Sequence, residues 1–331
     1  MNKKLVTTLL CAATVMTAAS VASAADVTIK LSTTKSTGSY ISEDLQAMAD
    51  KIAEDSDGAI EVQLFPDSQL GGQNESIEGM GMGTIEMALL AAGAEESFYP
   101  ATGLMGTLFT AQDEDHALKI YSSEKSTQIF EEAISTTGVR ALDAFVIEGA
   151  RNIWSKTPIE KLEDLKGLKM RVPEVPMFIV SFEALGANPT PMAFSEVYTG
   201  LQTGIIDGLE YDMNSLVEYN LQDHCKYCYE TNHGVSIMDF FVSDMFWQGL
   251  TEEQQEIILT NCQETAASLN EKYYEKKEES VKQLEEAGVT FVTPSEEDKA
   301  AIDEAVEPVL LDHIADYATQ EDLDELRALA D

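Results

Sequence analysis

The chain has 331 residues, enough for two α/β lobes with separate cores on the prior of roughly 100 to 200 residues per domain. It carries 21 Lys+Arg against 59 Asp+Glu, which gives a formal net charge of -38 at pH 7. This charge makes nucleic acid and anionic membrane surfaces poor partners. It also repels a small anion at long range, so a site for an anion has to be a local positive pocket.

Residues 1–24 have the pattern of a secretory signal peptide. Lysines precede a short apolar run, and the segment ends in Ala22-Ser23-Ala24, which matches an A-x-A cleavage site. The apolar run is too short to span a bilayer, and no later run is long and apolar enough. We therefore expect a mature protein that begins at Ala25, resides in the periplasm and acts at the membrane only through partners.

The residues after this segment alternate between strand and helix periodicity. The predicted elements are, in order, a strand at 27–31, a helix at 41–52, a strand at 60–64, a helix at 73–82 and a strand at 85–90. This alternation favours parallel strands covered by helices on both faces. The glycines between 71 and 83 do not form a phosphate-binding pattern, so a nucleotide site is excluded.

Two long apolar segments are predicted to cross between the lobes. Residues 139–154 have the pattern of one strand that is longer than a compact domain needs, with Arg151 at the crossing. The return crossing is predicted at 229–242. Two strand crossovers form a hinge, the usual arrangement in a protein that closes around a ligand, and we expect rotation near 148–150 and 234–237.

Residues 164–214 predict a strand, a helix, a strand, a helix and a strand in succession. Alternating apolar residues at 168–172 form a strand that Pro173 ends, which places Arg171 at the carboxyl end, where ligands of open α/β sheets bind. The elements that follow are a helix at 175–185, an extended segment at 188–192, a helix capped by Ser195 that runs to about Thr203, and a strand at 205–209. A guanidinium at this position can hold an anion with two hydrogen bonds, although a lone arginine more often forms a surface salt bridge.

Three motifs around this arginine carry a family resemblance. They are R-V-P at 171–173, P-T-P-M-A-F-S-E-V-Y-T-G-L-Q-T-G at 189–204 and I-D-G-L-E at 206–210. From residue 27 almost to its end, the chain strongly resembles the solute-binding subunit of tripartite ATP-independent periplasmic (TRAP) transporters. The resemblance implies an α/β, two-lobed periplasmic-binding-protein fold with two strand crossovers as the hinge and a long helix that spans both lobes.

The predicted crossings and the resemblance together divide the chain into domains. The expected boundaries are lobe I at 25–148, completed by about 237–276, and lobe II at 149–236, completed by about 277–331. The long helix is predicted from Thr251 to about Ala287, and a last strand at 289–292. Apolar positions in this helix are too sparse for coiled-coil heptads, so a helix that spans both lobes is the better interpretation.

The resemblance also implies which side chains bind the ligand. In the family, the arginine of R-V-P binds the ligand carboxylate bidentately, and a second arginine lies in the G-x-R of the first crossing. Arg171 and Arg151 occupy these places. The phenylalanine of M-A-F-S-E packs on the ligand, and Phe194 matches it. The alternatives are that Arg151 pairs with Glu148 and that Phe194 is a core residue.

Two positions depart from the family pattern and bear on ligand size. The family often has D-G-Q-E-N where this chain has D-G-L-E-Y, so Tyr211 replaces an asparagine that bonds the ligand. Sialic-acid-type members carry an arginine where this chain has Asn74. Thr34 and Tyr40 complete the set of expected ligand-binding residues.

Both departures favour a small anion. They predict a carboxylate or sulfonate of about two to six carbons, such as a C4-dicarboxylate, a small hydroxy or keto acid or isethionate, over a nine-carbon sugar acid. A larger sugar acid, such as a uronate, is the alternative ligand.

The resemblance implies transport without catalysis. The chain would be a monomeric periplasmic binding subunit without a cofactor that delivers an organic anion to the small and large membrane permease subunits. It has four histidines and neither G-x-S-x-G nor H-E-x-x-H, which agrees with a protein that is not an enzyme. A ligand sensor for a membrane receptor, built on the same fold, is the alternative.

The cysteines leave more than one interpretation open. His224, Cys225, Cys228 and His233 imitate a Cys₂His₂ zinc set. An oxidising periplasm favours a disulfide between Cys225 and Cys228 instead, and two free thiols are the remaining alternative. Cys262 lies within a helical pattern and is most simply a small apolar residue.

Overall fold

The structure is a computed structural model that describes residues 25–330. Its strands are β1 Val27–Thr33, β2 Ile60–Phe65, β3 Met87–Ala91, β4 Val139–Ala141, β5 Val146–Ser155, β6 Lys169–Val172, β7 Asn188–Pro191, β8 Gly208–Asp212, β9 Tyr227–Ser243 and β10 Thr290–Val292. Its α-helices are α1 Tyr40–Asp55, α2 Gln73–Gly81, α3 Glu114–Tyr121, α4 Glu124–Thr137, α5 Pro176–Ala184, α6 Val197–Thr203, α7 Met213–Glu218, α8 Asp244–Gln248, α9 Glu252–Glu286, α10 Glu296–Ile314 and α11 Gln320–Arg327. No helix between residues 25 and 330 has both the length and the apolar character needed to cross a bilayer.

The strands form one mixed sheet in the order β2-β1-β3-β9-β5-β8-β6-β7, with β4 and β10 also paired to β9. At one end β1 is parallel to β2 and β3, and at the other end β6 is parallel to β7 and β8. The long strands β5 and β9 are antiparallel to each other and join the two ends. The structure therefore has the α/β architecture with two strand crossovers that the sequence predicts. The exact lobe boundaries stay a prediction.

Hydrophobic packing follows the same division. One buried cluster surrounds β1 and α1 and includes Leu31 and Leu45, and another surrounds β8 and includes Trp154 and Leu209. A third cluster joins residues from α2 to the C-terminal helices. Burial of these apolar side chains provides the main driving force for folding.

Helix α9 is the long helix predicted from the sequence. Thr251 caps it and forms a reciprocal capping box with Gln254, and the helix ends before Ala287. With 35 residues it is about 53 Å long at 1.5 Å per residue. Its N-terminal half packs in the cluster around α1 through Ile258 and Cys262, and Leu284 near its C-terminus packs in the cluster around β8. It therefore holds both ends of the sheet together.

The single strand predicted at 139–154 is wrong, because the structure breaks it into β4 and β5. Asp143 in the connection has a positive φ of 51°, and the Ala144 amide donates to Asp239 Oδ1 at 2.9 Å instead of continuing the ladder. The strand predicted at 205–209 is also displaced, to β8. Ile205 instead belongs to the turn that closes α6, where its amide donates to the Gly200 carbonyl at 3.0 Å.

A bulge in β5 matters for the site. Ile147 pairs with Ile237 and Gly149 pairs with Ser236, so Glu148 is an extra residue with no ladder partner. Gly149 has φ +136°, and a Cβ at this position would lie 2.8 Å from the Tyr273 hydroxyl of α9. Glycine is therefore required by both the backbone conformation and the close approach of the helix.

Candidate functional site

A cavity of about 110 Å³ lies where the two ends of the sheet meet. Its wall takes residues from the loop after β1, the N-terminus of α2, and strands β5, β6 and β8. The expected ligand-binding side chains of Arg171, Arg151, Phe194, Tyr211, Thr34 and Asn74 all line it. The cavity lies at the carboxyl end of β6, the position at which open α/β sheets bind ligands.

Arg171 is a buried cation that no carboxylate among residues 25–330 pairs with. Its side chain is 3% exposed, its Nε donates to the Met192 carbonyl at 3.0 Å, and its guanidinium lies 5.3 Å from the centre of the Phe194 ring. Nη1 is buried and has no hydrogen-bond partner within the described part of the chain. Burial lowers the pKa of Arg171 to about 10, although Glu210 offsets part of this effect, and the group stays charged at neutral pH. Buried donors of this kind are usually paired, so Nη1 is open to an acceptor from a water or a bound molecule.

Arg151 is held differently, because its fork is already occupied. Its Nε and Nη2 donate to the two carboxylate oxygens of Glu210, each at 2.6 Å, and Nη1 donates to the Ser236 hydroxyl. The partner of Arg151 is therefore Glu210, and the alternative of a pair with Glu148 is wrong. Both Arg151 and Glu210 are buried, and their ion pair forms part of the cavity wall.

His233 completes this ion-pair network. Its Nε2 lies 3.2 Å from Glu210 Oε2 and its Nδ1 lies 2.8 Å from the Thr231 hydroxyl. Burial lowers the pKa of His233, with Glu210 opposing, so the ring is neutral at pH 7 and donates from Nε2. Burial would raise the pKa of Glu210, but Arg151 and His233 hold it below its ordinary value. Glu210 is therefore ionised and fully paired.

Tyr211 and Phe194 form an aromatic surface of the cavity. Their rings stack with centroids 4.6 Å apart and an interplanar angle of 25°, and the Arg151 guanidinium lies 4.7 Å from the centre of the Tyr211 ring. The Tyr211 hydroxyl donates to Glu148 Oε1 at 2.7 Å. Tyr211 thus occupies the wall as the sequence predicts. Its hydroxyl, however, is hydrogen-bonded to Glu148, which was not among the expected ligand-binding residues.

The three other expected residues differ in position. Asn74 lies in the first turn of α2 and lines the cavity, as does Thr34, whose carbonyl accepts from Tyr219 at 3.0 Å. Tyr40 does not line the cavity. It begins α1 and packs in the cluster around that helix, where burial raises its pKa and Lys35 opposes the rise. Ligand contact by these side chains stays a prediction.

The disulfide between Cys225 and Cys228 is wrong, since both residues are free and fully buried thiols in the cluster around β8. The Lys226 amide donates to the Ser155 carbonyl and Tyr227 pairs with Ser155, so this segment is extended along β5. Three extended residues span roughly 10 Å, beyond the reach of a disulfide. The zinc alternative also lacks a site: residues 25–330 contain no group of three or more His, Cys, Asp or Glu that could hold a metal.

Comparisons with known proteins find relatives that are similar in sequence and in fold. The family model described as bacterial extracellular solute-binding protein, family 7, matches residues 31–316. The chain is 34% identical over 265 residues to a solute-binding protein of Roseobacter denitrificans, covering 78% of each chain. A crystal structure of that TRAP periplasmic protein with bound L-galactonate superposes with a TM-score of 0.83, over 93% of this chain and 100% of that one.

Two further relatives are named for related ligands. The 2,3-diketo-L-gulonate-binding periplasmic protein of Escherichia coli K12 is 31% identical over 245 residues, 74% of each chain. A TRAP periplasmic solute-binding protein from Pseudomonas putida F1, solved with bound D-glucuronate, is 30% identical and superposes with a TM-score of 0.83. That superposition covers 92% of this chain and 96% of the other.

Proposed function

This chain belongs to the DctP family of bacterial extracellular solute-binding proteins, the binding subunits of TRAP transporters, and we propose that it captures a short hydroxylated monocarboxylic acid. In this proposal the signal peptide directs it to the periplasm, where it delivers the acid to membrane permease subunits. Aldonic and uronic acids of about four to six carbons are the best candidates for the acid.

The observation that carries this proposal is the unpaired guanidinium of Arg171. Among the described residues, the other buried charged groups at the cavity have partners: Arg151 pairs with Glu210, Glu148 pairs with Lys35, and Glu96 Oε1 lies 3.0 Å from His313 Nε2. Glu174 also lines the cavity, but it is exposed. Arg171 is therefore the buried cation with donors left for a ligand. A planar guanidinium matches a carboxylate in geometry as well as in charge, so a ligand with a single carboxylate fits best.

Ligand size is supported by the ligands of similar proteins. One relative described above is named for 2,3-diketo-L-gulonate, and two were solved with bound L-galactonate and D-glucuronate, all hydroxylated six-carbon monoacids. The uronate alternative thus gains support, and the proposal does not extend to sulfonates, for which none of these relatives is named.

The proposal is tested by ligand-induced thermal stabilisation. Protein freed of carried-over ligand by unfolding and dialysis is heated with L-galactonate, D-glucuronate, sialic acid or acetate. A hydroxylated acid present at 100 times its Kd should stabilise the folded protein by about 2.7 kcal/mol. We expect L-galactonate or D-glucuronate to raise Tm and sialic acid to leave it unchanged. A shift with sialic acid alone, or with none of the four, would refute the proposal.

Arg171→Lys provides the matched variant, because a lysine retains the charge but cannot form the planar fork. It should lose most of the ligand-induced shift. Arg140→Lys is the control, since Arg140 pairs with Asp244 at 2.7 Å outside the cavity. It should keep the full shift. Equal responses of the two variants would show that the fork of Arg171 does not bind the ligand.

A further inference from the structure

Glu148 is a cavity residue whose position follows from an irregularity of the backbone. It is the bulged residue of β5, directly before Gly149, and its side chain is only 5% exposed although it lines the cavity. A carboxylate so deeply buried is costly unless it is paired. The bulge and the pairing therefore hold a negative charge at one defined place in the wall.

The two carboxylate oxygens of Glu148 have different surroundings. Oε1 accepts hydrogen bonds from the Lys35 ammonium and from the Tyr211 hydroxyl. Oε2 accepts no hydrogen bond from residues 25–330. It is also not fully buried. Since Glu148 lines the cavity, its free oxygen is available to a molecule inside it.

Lys35 keeps this carboxylate ionised and in place. Its own side chain is 2% exposed, so the two groups form an almost fully buried ion pair. Burial would raise the pKa of Glu148, but Lys35 and Arg151 hold it below its ordinary value. Burial would likewise lower the pKa of Lys35, which Glu148 instead keeps well above its ordinary value. Both groups are therefore charged at neutral pH.

We infer that Glu148 is a specificity-determining residue, whose free Oε2 accepts a hydrogen bond from a ligand hydroxyl and rejects a second carboxylate, while Lys35 positions it. This inference rests on the proposed function, because it concerns the part of the acid that Arg171 does not hold. An ionised carboxylate can only accept hydrogen bonds. A ligand hydroxyl can donate one, whereas an ionised carboxylate of the ligand cannot and carries the same charge.

The cavity then has two chemically different ends. Arg171 takes the single carboxylate, and Glu148 distinguishes a hydroxyl from an apolar or an acidic group. A site that hydrogen-bonds a substrate hydroxyl can reject an analogue without it by about 10⁴-fold. The structure therefore favours hydroxylated monoacids over both dicarboxylates and unsubstituted fatty acids.

Three acids of equal chain length test the inference by calorimetric titration: L-galactonate, its dicarboxylate counterpart galactarate, and hexanoate. The wild-type protein should bind L-galactonate at least about 100-fold more tightly than the other two. Glu148→Gln removes the charge, so the disadvantage of galactarate should shrink to less than about tenfold, while L-galactonate binding weakens.

A second variant covers the case in which Glu148→Gln fails to fold because Lys35 loses its counter-ion. The double variant Lys35→Met/Glu148→Gln removes both charges and should show the same loss of discrimination. Glu114→Gln is the matched control. Glu114 also accepts from a lysine and a tyrosine hydroxyl, Lys277 and Tyr273, each at 2.6 Å, but it does not line the cavity. This variant should retain the wild-type preference.

The outcomes separate the inference from the function on which it rests. If wild-type protein binds L-galactonate but binds galactarate equally well, or if both Glu148 variants keep the wild-type preference, the inference is overturned and the proposed function stands. If the wild-type protein binds neither L-galactonate nor galactarate, the comparison is repeated with D-glucuronate and its dicarboxylate counterpart glucarate. If neither of these binds, the proposed function fails and the inference falls with it.

Discussion

The burial of Arg171 without a counter-ion predicts that this residue destabilises the ligand-free protein. Burial lowers its pKa from its ordinary value to about 10, which at about 1.36 kcal/mol for each pKa unit disfavours the charged form by roughly 3 kcal/mol. Replacement by methionine removes this charge from the cavity wall. It also removes the hydrogen bond to the Met192 carbonyl, worth about 1 kcal/mol. Arg171→Met should therefore raise the free energy of unfolding of the ligand-free protein by about 2 kcal/mol.

Arg151→Met provides the comparison, because Arg151 is buried to a similar extent but paired. Its loss leaves Glu210, which is 0% exposed, without its counter-ion. Removal of one partner of a buried ion pair typically costs about 3 to 5 kcal/mol. The two arginine variants should thus move stability in opposite directions.

Urea unfolding of dialysed, ligand-free protein measures both effects through the transition midpoint at constant slope. Arg171→Met should be more stable than the wild type and unresponsive to ligand, whereas Arg151→Met should be less stable. If Arg171→Met is destabilised as much as Arg151→Met, Arg171 is a structural residue and the reasoning from its missing partner is refuted.

Three other predictions concern parts of the molecule outside Arg171. Burial raises the pKa of Glu95 from 4.5 to about 7, and Thr137 offsets part of this rise in pKa. Between these values the unfolded carboxyl loses its proton while the folded one keeps it, so stability falls as pH rises, by about 3 kcal/mol in all. Glu95→Gln should remove this fall in urea titrations at pH 4 and pH 8, and an unchanged pH dependence would contradict it. Rotation about 148–150 and 234–237 should make the ligand-bound protein slightly more compact, and superimposable X-ray scattering curves with and without ligand would count against the hinge. Unreduced, denatured protein from Ala25 onward should react with three equivalents of thiol reagent, whereas one equivalent would indicate a bridged pair.

Periodicity and end signals predicted most of the fold. Helix α9 follows from its cap at Thr251, and the crossovers follow from apolar runs too long for one lobe. Prediction was wrong where buried charges enter strands. The apolar run at 205–209 suggested a strand, but β8 extends to Asp212 and includes Glu210, which is buried because Arg151 neutralises it. A one-dimensional pattern cannot show that partner.

The site shows the same limit. Arg171, Phe194, Tyr211 and Asn74 were predicted from motifs, and the structure brings them to one cavity. Glu148 was considered only as a partner of Arg151, because its role depends on a bulge and on residues far away in sequence. The available signal was a charged residue directly after an apolar strand segment, where a buried charge indicates a paired or functional group.

The most direct test of the central claim is a crystal structure of the protein with L-galactonate or D-glucuronate. The account predicts the carboxylate within hydrogen-bond distance of Nη1 and Nη2 of Arg171, and a ligand hydroxyl on Glu148 Oε2. A ligand carboxylate bound elsewhere in the cavity, with Nη1 of Arg171 still unpaired, would contradict it.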